Sequence, residues 1–360
     1  MCIVVICNDR PSELRSTLTS LIDANGMDDK MLDRVFVSQS GNNQQVASLV
    51  DMMGFSDRHF FNVQYDIPVV NRLALHFNWT FSKIFSEQSR CDGLIVIEDD
   101  LLLSPDFLEY FRIAVPVLEI DKTLITVSLW NDIGFTFNTN DPHKIKRVSF
   151  FPGLGWYLSR EIWYNLLGPG WPSQDWDWYV RDRHMDTLVP EIPRDYHNSK
   201  RGTYMTTGLF NKYFKDIRLH DDIGFRWKPS DAYNLDFKSY TSVMKNKIKH
   251  GVHISDFTQL NEHRINIVWT MGFTEIRDKV LLHRHCGSFY KVTGLWEGEM
   301  ERGEWMGIHS LWLLNIYKLL IINTNSKWTR PPSSKVFVGL ELCQQWVRDS
   351  ISLGEITGRP

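Results

Sequence analysis

The chain has 360 residues, a formal net charge of −3, 43 % hydrophobic residues and 23 % charged residues. This length allows one large domain or two ordinary ones, and the composition is that of a globular protein with a sizeable core. The charge balance excludes a general electrostatic affinity for nucleic acid or anionic membranes, so we expect no nucleic-acid partner.

The apolar stretches of the chain are too short to cross a bilayer. The most apolar one, residues 311–322, falls short of the roughly 18 to 20 apolar residues that a span requires. The first residues do not fit a signal peptide, because the apolar run is short and has no basic start. We therefore expect no membrane segment in this chain. Two interpretations stay open: a catalytic region without its upstream anchor, or a soluble protein.

Strand and helix patterns alternate along the first part of the chain. Buried strands are predicted by short apolar, β-branched runs at 2–8, 33–43, 93–100 and 124–132. Helices are predicted by apolar residues at helical spacing over 12–24, 71–85 and 104–119. Ser12 is the expected N-cap of the first helix, and Ser104-Pro105 is the start signal of the third. The alternation predicts an α/β fold with a mainly parallel sheet covered on both faces.

Three of the predicted strands end in polar clusters: Asn8-Asp9-Arg10, Glu98-Asp99-Asp100 and Asn131-Asp132. Ligands of parallel sheets bind beyond the carboxyl ends of the strands, so we expect these clusters to converge on one crevice. From about residue 215 the alternation weakens. We therefore predict a catalytic domain over residues 1–215 and a smaller C-terminal domain over residues 216–360.

The acidic triplet Glu98-Asp99-Asp100 is the strongest chemical signal. Adjacent carboxylates at the end of a buried strand repel one another and are costly to bury unpaired, so a positive partner is expected. A hard divalent cation takes oxygen ligands and often shares them with substrate phosphates. The alternative is a solvated strand end that caps the helix at 104. The apolar lead-in and the converging clusters favour the metal site.

Two further segments have residues suited to a ligand site. The turn 152–156 contains Gly153 and Gly155, which allow the backbone to approach a ligand closely, although the sequence has no phosphate-binding P-loop. Asp175 and Asp177 lie among aromatic residues, where a carboxylic acid can serve as a general base and Trp faces can stack on sugars. The alternative is an aromatic core edge with solvated acids, which this segment favours when taken by itself.

The cysteines and histidines carry weaker signals. The five cysteines are Cys2, Cys7, Cys91, Cys286 and Cys343. They form no C-x-x-C pair, so a zinc ribbon is not expected, and at most two disulfides can form. The run HRHC at 283–286 has no partner cluster in the sequence, and we assign it to structure.

Eight stretches together resemble one enzyme family. In chain order they are VVICNDR, VFVSQS, LHFNW, VIEDDLLLSPDFLEYF, VSLWNDIG, FFPGLGWYLSREIW, WPSQDWDWYVR and, more weakly, DAYNLDF. Their order and spacing over about residues 1–240 resemble the eukaryotic β-1,2-N-acetylglucosaminyltransferase I family, which includes the protein O-mannose β-1,2-N-acetylglucosaminyltransferases. The last third of the chain matches poorly.

The resemblance implies a GT-A fold, in which a nucleotide-sugar-binding α/β domain precedes a smaller C-terminal domain. It implies that GlcNAc is transferred from a UDP-GlcNAc donor to a mannose-containing glycan acceptor with inversion at the anomeric carbon. The implied cofactor is Mn²⁺, and the implied compartment is the Golgi lumen. Two alternatives remain: a transferase of the same fold that uses another UDP-sugar, and a non-catalytic sugar- or nucleotide-binding homologue.

The resemblance also implies roles for single residues around the triplet. Asp100 is expected to ligate Mn²⁺, Asp99 to contact the nucleotide-sugar, and Glu98 to lie near the sugar. Arg10 and His76 match residues that hold UDP. The charges of the triplet are expected to be offset by Mn²⁺ and not by another side chain.

On the opposite side of the sugar, Asp177 matches the catalytic base because it precedes Arg181 by four residues, with Asp175 as the alternative. Leu154 and Trp176 are further expected substrate contacts.

Two positions differ from the family pattern. Ser40, also expected to bind substrate, replaces an aspartate that binds the nucleotide. Around residues 200–210 the spacing differs, and Tyr204 or Thr206 can replace a donor-contacting serine.

Overall fold

The computed structural model describes residues 1–55, 57–61, 66–254, 267–271, 295–296, 299, 301–313 and 317–323. The HRHC run, Cys343 and the Pro-Pro pair at 331–332 lie outside the described residues. Among the described residues, no helix is long and apolar enough to cross a membrane.

The strands of the described residues are β1 Cys2–Cys7, β2 Val35–Ser40, β3 Asp57–Phe61, β4 Gly93–Glu98, β5 Leu101–Leu103, β6 Leu124–Val127, β7 Ile145–Val148, β8 Trp156–Ser159, β9 Asp186–Pro190, β10 Asp195–His197, β11 Val252–Ile254, β12 Ile267–Met271, β13 Glu304–Trp305, β14 Ile308–Leu313 and β15 Tyr317–Asn323.

The α-helices are α1 Pro11–Ile22, α2 Asp29–Leu32, α3 Gln44–Met52, α4 Val69–Glu87, α5 Phe107–Ile120, α6 Arg160–Ile162, α7 Trp176–Arg181, α8 Thr207–Leu209 and α9 Phe237–His250. Single turns of π-helix follow α6 and α8 at Trp163–Leu167 and Phe210–Phe214, and 3₁₀ turns lie at Gly168–Gly170 and Pro229–Ala232.

The central sheet has the strand order β3-β2-β1-β4-β8. Its pairs are parallel except for the antiparallel β4–β8 pair at the edge. Successive side chains of a strand point to opposite faces. Accordingly, Ile3 and Val5 pack in one buried cluster with α1 and α5, while Val4 and Ile6 pack in a second cluster with α4. The predicted α/β fold with a mainly parallel sheet covered on both faces is confirmed.

The strand predicted over 124–132 forms, but outside the central sheet. It is β6, which ends at Val127 and pairs in parallel with β9 in a second sheet of order β6-β9-β7. The place beside β4 is taken by β8, which runs antiparallel with Leu94 opposite Leu158. Both candidates for that edge are short apolar strands, so local pattern does not distinguish them.

Two predicted helix starts are corrected by the structure. The first helix begins at Pro11 with Arg10 in the N-cap position, so Ser12 is not the cap. Proline fixes the backbone angle that the first helical residue needs, and the helix therefore starts one residue earlier. The helix predicted over 104–119 is α5, and it begins at Phe107. The Ser104 hydroxyl bonds the Asp106 carboxylate, and the chain makes one more turn before the helix.

Residues after 215 share a core with the first part of the chain. Trp227, Tyr240 and Trp305 belong to the same buried cluster as β1 and α5, and the Trp305 indole donates a hydrogen bond of 2.9 Å to Asp186. Strands of the later region form a mixed sheet of order β11-β12-β15-β14-β13. The division between residues 1–215 and 216–360 stays a prediction.

A disulfide joins Cys2 to Cys91 and thereby ties the start of β1 to the segment before β4. The two cysteines are 89 residues apart in sequence, but Cys2 begins β1 and Cys91 precedes β4, which are neighbouring strands in the sheet. The buried Cys7 thiol instead donates a 3.6 Å hydrogen bond to the Ser38 carbonyl oxygen.

Candidate active site

A cavity of about 880 Å³ lies at the carboxyl ends of β1, β2 and β4. This is the edge at which a parallel sheet places its ligands. Nine residues that the sequence analysis assigns to metal, substrate or catalysis line the cavity: Arg10, Ser40, His76, Glu98, Asp99, Asp100, Leu154, Trp176 and Asp177. The structure therefore brings them together, while their individual roles stay predictions.

The third polar cluster, Asn131-Asp132, was predicted to line the cavity, and this prediction is wrong. Both residues are buried, because β6 lies in the second sheet. Asn131 donates a hydrogen bond of 2.8 Å to the Glu191 carbonyl oxygen, and Asp132 accepts one of 3.2 Å from Arg302. Asp132 thus supports the cavity wall from behind.

Arg10 forms ion pairs with two carboxylates of the acidic triplet. Its guanidinium bonds Asp99, and the same group lies 2.6 Å from Asp100 Oδ2. Burial alone would lower the pKa of Arg10, but the attraction of Asp99 and Asp100 raises it above its ordinary value. The expectation that no side chain would offset the triplet is therefore wrong.

Arg10 supplies one positive charge beside the three carboxyl groups of the triplet, and the pKa values of two of these groups are raised. Burial, reinforced by Asp100, raises the pKa of Glu98 to about 8. Burial also raises the pKa of Asp99 to about 7, although Arg10 opposes the rise. Raised carboxyl pKa values mean that the charged forms are poorly solvated, so this end of β4 would gain from an additional cation.

The carboxylates suit a divalent cation that also binds a diphosphate. Asp100 Oδ2 lies 3.4 Å from His197 Nε2 and faces the cavity beside Arg10. The part of the chain that the structure describes holds no cluster of three or more His, Cys, Asp or Glu residues arranged for a metal. Mg²⁺-like ions in nucleotide sites commonly take only one or two protein carboxylates and complete their shell with phosphates and water. The residues present therefore fit such an ion.

His76 lies on α4 and faces the end of β2. Its Nε2 is 2.9 Å from the Ser38 hydroxyl, and its ring stacks on Phe61 with centroids 5.2 Å apart. Burial lowers the pKa of His76 to about 3, so the ring is neutral at physiological pH. Arg72, one helical turn earlier, lines the same cavity. Sequence reasoning missed Arg72, although its spacing of four residues from His76 places both on one helix face.

Asp177 and Asp175 have different positions at the start of α7. Asp177 lines the cavity, and its Oδ2 lies 2.7 Å from an Arg181 amino nitrogen one helical turn later. Asp175 is exposed and occupies the N-cap with a left-handed backbone φ of 51°; it is not among the cavity-lining residues. The geometry therefore favours Asp177 over Asp175 as a group acting on a bound ligand.

The indole nitrogen of Trp176 is buried and unpartnered among the described residues. The ring is buried and stacks on Trp156 and Trp171, with centroids 6.0 Å from each. Its Nε1 finds no hydrogen-bond acceptor within the described ranges, although Trp176 lines the cavity. Buried indole N–H groups usually have a partner, so this nitrogen is an exception in an otherwise closely packed aromatic cluster.

The glycine turn brings Leu154 to the cavity. Gly153 and Gly155 both have positive φ, at 87° and 44°. A Cβ on Gly155 would lie 2.2 Å from Asp195 Oδ2, so no larger residue fits there. Of the two replacements considered for the donor-contacting serine, Tyr204 lines the cavity, whereas Thr206 caps α8 by accepting a hydrogen bond from Leu209.

Several cavity residues had no signal in the sequence. His197 ends β10 and Arg201 follows that strand, and three more come from the later part of the chain, Trp296, Glu299 and Arg302. The stretch that contains these last three residues has no recognisable motif. Its role in the cavity depends on contacts across more than 100 residues, which local patterns do not encode.

The parallel sheet with its ligand edge is the α/β architecture of the GT-A type. Residues 1–279 match the GNT-I family, and the chain belongs to this family. Both the predicted fold and the predicted family are confirmed.

A curated relative is the alpha-1,3-mannosyl-glycoprotein 2-beta-N-acetylglucosaminyltransferase of Arabidopsis thaliana. It is 30 % identical over 231 residues, which cover 60 % of this chain and 51 % of the relative. The chain thus spans about half the length of this relative.

Solved structures are similar only at a low level. TarS 1–349 of S. aureus has a TM-score of 0.38 and 9 % identity, covering 56 % of this chain and 61 % of that chain. The mannosyltransferase PcManGT of Pyrobaculum calidifontis, in complex with GDP-Man and Mn²⁺, has a TM-score of 0.33 and 14 % identity, covering 53 % and 57 %. Similarity at this level carries no argument about function.

Proposed function

We propose that this chain is an inverting, metal-dependent glycosyltransferase that moves GlcNAc from UDP-GlcNAc to a mannose of a glycan or glycoprotein in β-1,2 linkage. One observation carries the proposal: the acidic triplet of β4 and Asp177 of α7 line the same cavity. The departing diphosphate needs a charge-neutralising site, and the attacking hydroxyl needs a base. Family membership and the name of the A. thaliana relative support a GlcNAc transferase.

The donor is proposed to bind along the ends of β1, β2 and β4. Arg10 and the neutral His76 would hold UDP, and Ser40 would supply a hydroxyl to the nucleotide. Leu154 and Trp176 would contact the sugar. A partly buried guanidinium suits phosphate oxygens because its donors form a planar fork.

Each of the three carboxylates of the triplet is proposed to have its own role. Asp100 would ligate Mn²⁺, Asp99 would contact the nucleotide-sugar, and Glu98 would lie near the sugar ring. When bound, the ion supplies positive charge that stabilises the leaving diphosphate. The positive charge of Arg10 beside the same carboxylates adds to that stabilisation.

Asp177 is proposed as the general base. The acceptor hydroxyl attacks the anomeric carbon on the face opposite UDP; the bond to the acceptor oxygen forms, the bond to the diphosphate oxygen breaks, and Asp177 takes the hydroxyl proton. The ion pair with Arg181, 2.7 Å long, orients the carboxylate toward this task. One displacement of this kind inverts the configuration at the anomeric carbon.

We propose the Golgi lumen as the compartment, on family grounds. The Cys2–Cys91 disulfide supports an oxidising compartment, because structural disulfides are rare in the reducing cytosol. A mass measurement of the native protein with and without thiol alkylation tests whether this bond forms in cells.

The proposed reaction is tested with UDP-GlcNAc, Mn²⁺ and methyl α-D-mannopyranoside. We expect UDP release, a GlcNAc-mannoside with a β-anomeric proton by NMR, and loss of both with EDTA. UDP-galactose and UDP-glucose in parallel reactions test the alternative donors. Tight UDP binding with no turnover of any donor would instead identify a non-catalytic homologue.

A further inference from the structure

One wall of the cavity includes residues from the later part of the chain. Trp296, Glu299 and Arg302 line the cavity there. Trp296 anchors the segment: it stacks on Tyr213 with centroids 4.1 Å apart, and its indole donates a 2.8 Å hydrogen bond to the Asp132 carbonyl oxygen. The wall is therefore built on buried, well-packed aromatic rings.

Arg302 is held from several directions. Its guanidinium bonds Glu299, lies 3.2 Å from Asp132 Oδ1, and packs 4.2 Å from the centre of the Trp296 ring. Its side chain is only 12 % exposed. Because Asp132 and the Trp296 ring hold Arg302 in place, its bond to Glu299 orients that carboxylate at the cavity wall.

The Arg302–Glu299 pair lies close to the Arg181–Asp177 pair. The guanidinium carbons of Arg302 and Arg181 lie 4.7 and 4.6 Å from the centre of the same Phe150 ring. Each arginine thus contacts this ring and presents one carboxylate that also lines the cavity. The two carboxylates belong to one continuous wall.

The charges of this wall indicate what it binds. Arg181 is balanced by Asp177, and Arg302 by Asp132 and Glu299, so the wall has no excess positive charge for an anion. The Glu299 side chain is 40 % exposed and the Asp177 side chain 23 %. Partly exposed carboxylates accept hydrogen bonds from hydroxyl groups, so a neutral polyhydroxylated ligand suits this wall.

We propose that Glu299, oriented by Arg302, is a specificity-determining residue that binds a hydroxyl of the acceptor hexose. This inference rests on the proposed function, in which Asp177 takes the proton of the attacking hydroxyl. Glu299 holds a second hydroxyl of the same sugar and so fixes which hydroxyl reaches Asp177. The acceptor class that follows is a neutral hexose, not a phosphorylated or carboxylated sugar.

The test measures acceptor binding separately from donor chemistry. Saturation-transfer NMR follows methyl α-D-mannopyranoside titrated into protein loaded with UDP and Mn²⁺. We expect Glu299→Gln to weaken mannoside binding about tenfold or more, which is typical for loss of a hydrogen bond to a charged group. Arg302→Lys keeps the charge but loses the fork that orients Glu299, so we expect a similar weakening. Glu301→Gln, an exposed residue of the same turn, is the matched control and should bind like wild type.

Steady-state kinetics provide the second measurement. Glu299→Gln should raise KM for the mannoside while KM for UDP-GlcNAc stays unchanged. The inference is overturned if the UDP-loaded wild type shows no saturation transfer to the mannoside, or if Glu299→Gln binds it as tightly as Glu301→Gln. Failure of the proposed function has a different signature: the mannoside binds through Glu299, but UDP-GlcNAc is not turned over.

Discussion

At the scale of single residues, Asp177 differs from its neighbour Asp175 mainly by position. The α7 helix begins at Trp176, so Asp177 is turned toward the cavity and Asp175 is left outside at the N-cap. Asp177 also gains an arginine partner one turn later, which Asp175 lacks in the described ion pairs. A two-residue shift along the chain therefore separates a cavity-lining carboxylate from a solvent-exposed one.

We expect Asp177→Asn to lower kcat by on the order of 10²–10⁴, because it removes the proton acceptor. The donor-binding groups are unchanged, so calorimetry should give an unchanged affinity for UDP-GlcNAc in Mn²⁺. Asp175→Asn is the control and should retain most of its turnover. The assignment fails if the Asp175 variant is inactive while the Asp177 variant turns over normally.

We expect Asp100→Ala to abolish Mn²⁺-dependent binding of UDP-GlcNAc and to leave the protein folded. The ion pair between Arg10 and Asp99 persists, and one of three repelling carboxylates is removed. The measurement is calorimetry with and without Mn²⁺, together with circular dichroism. Asp92→Ala, at the exposed opposite end of β4, should bind as wild type does. Wild-type affinity of Asp100→Ala in Mn²⁺ would refute the metal assignment.

At the scale of elements, the turn before β8 depends on glycine for two reasons. Gly155 has a φ of 44°, which is costly for other residues, and a Cβ there would lie 2.2 Å from Asp195 Oδ2. Asp195 is itself fully buried on β10, which pairs with β5. The turn that carries Leu154 is therefore fixed by its close packing against β10.

We expect Gly155→Ala to lower the free energy of unfolding by more than Gly54→Ala, by at least about 1 kcal/mol. Both positions have a positive φ, but a Cβ on Gly54 would meet no atom within 4 Å. Gly54→Ala therefore isolates the backbone strain, and the difference measures the collision with Asp195. Urea unfolding of both variants gives the comparison. Equal losses would mean that the turn can relax around a methyl group.

Local patterns predicted the type of each element better than they predicted which elements lie next to one another in the fold. The strand and helix alternation up to residue 127 was confirmed in type, because each buried element repeats its apolar residues with its own period. The place of β6 in a second sheet and the helix start at Pro11 were not predicted. The first depends on which of two apolar strands binds the β4 edge, and the second on a proline that outweighs a capping serine.

At the scale of the whole molecule, buried His76 makes stability depend on pH. Its pKa is lowered to about 3 by burial, whereas an unfolded histidine titrates near 6.5. Between these values the unfolded chain binds a proton that the folded chain does not. The free energy of unfolding therefore falls as pH falls from about 6.5 toward 3, and this contribution is fully present above 6.5.

The free energy of unfolding should fall between pH 7 and pH 5 in both wild type and His76→Gln. We expect the fall to be smaller in His76→Gln than in wild type, by about 2 kcal/mol. Glutamine can still bond the Ser38 hydroxyl but does not titrate. Urea unfolding at the two pH values gives the difference for each protein. His250→Gln is the control, because His250 lies on the exposed end of α9. The same pH dependence in His76→Gln and wild type would show that His76 is protonated without loss of the fold.

The sequence by itself determined the α/β class, the acidic triplet at a strand end and the family, because these depend on residue periodicity and on short motifs. Only the tertiary structure decided that Arg10 pairs with Asp99, 89 residues away, and that Arg302 reaches Asp132 across 170 residues. It also separated Asn131 from the cavity. Such contacts arise when distant segments pack into one core, and the free energy of that packing is not encoded in any local pattern.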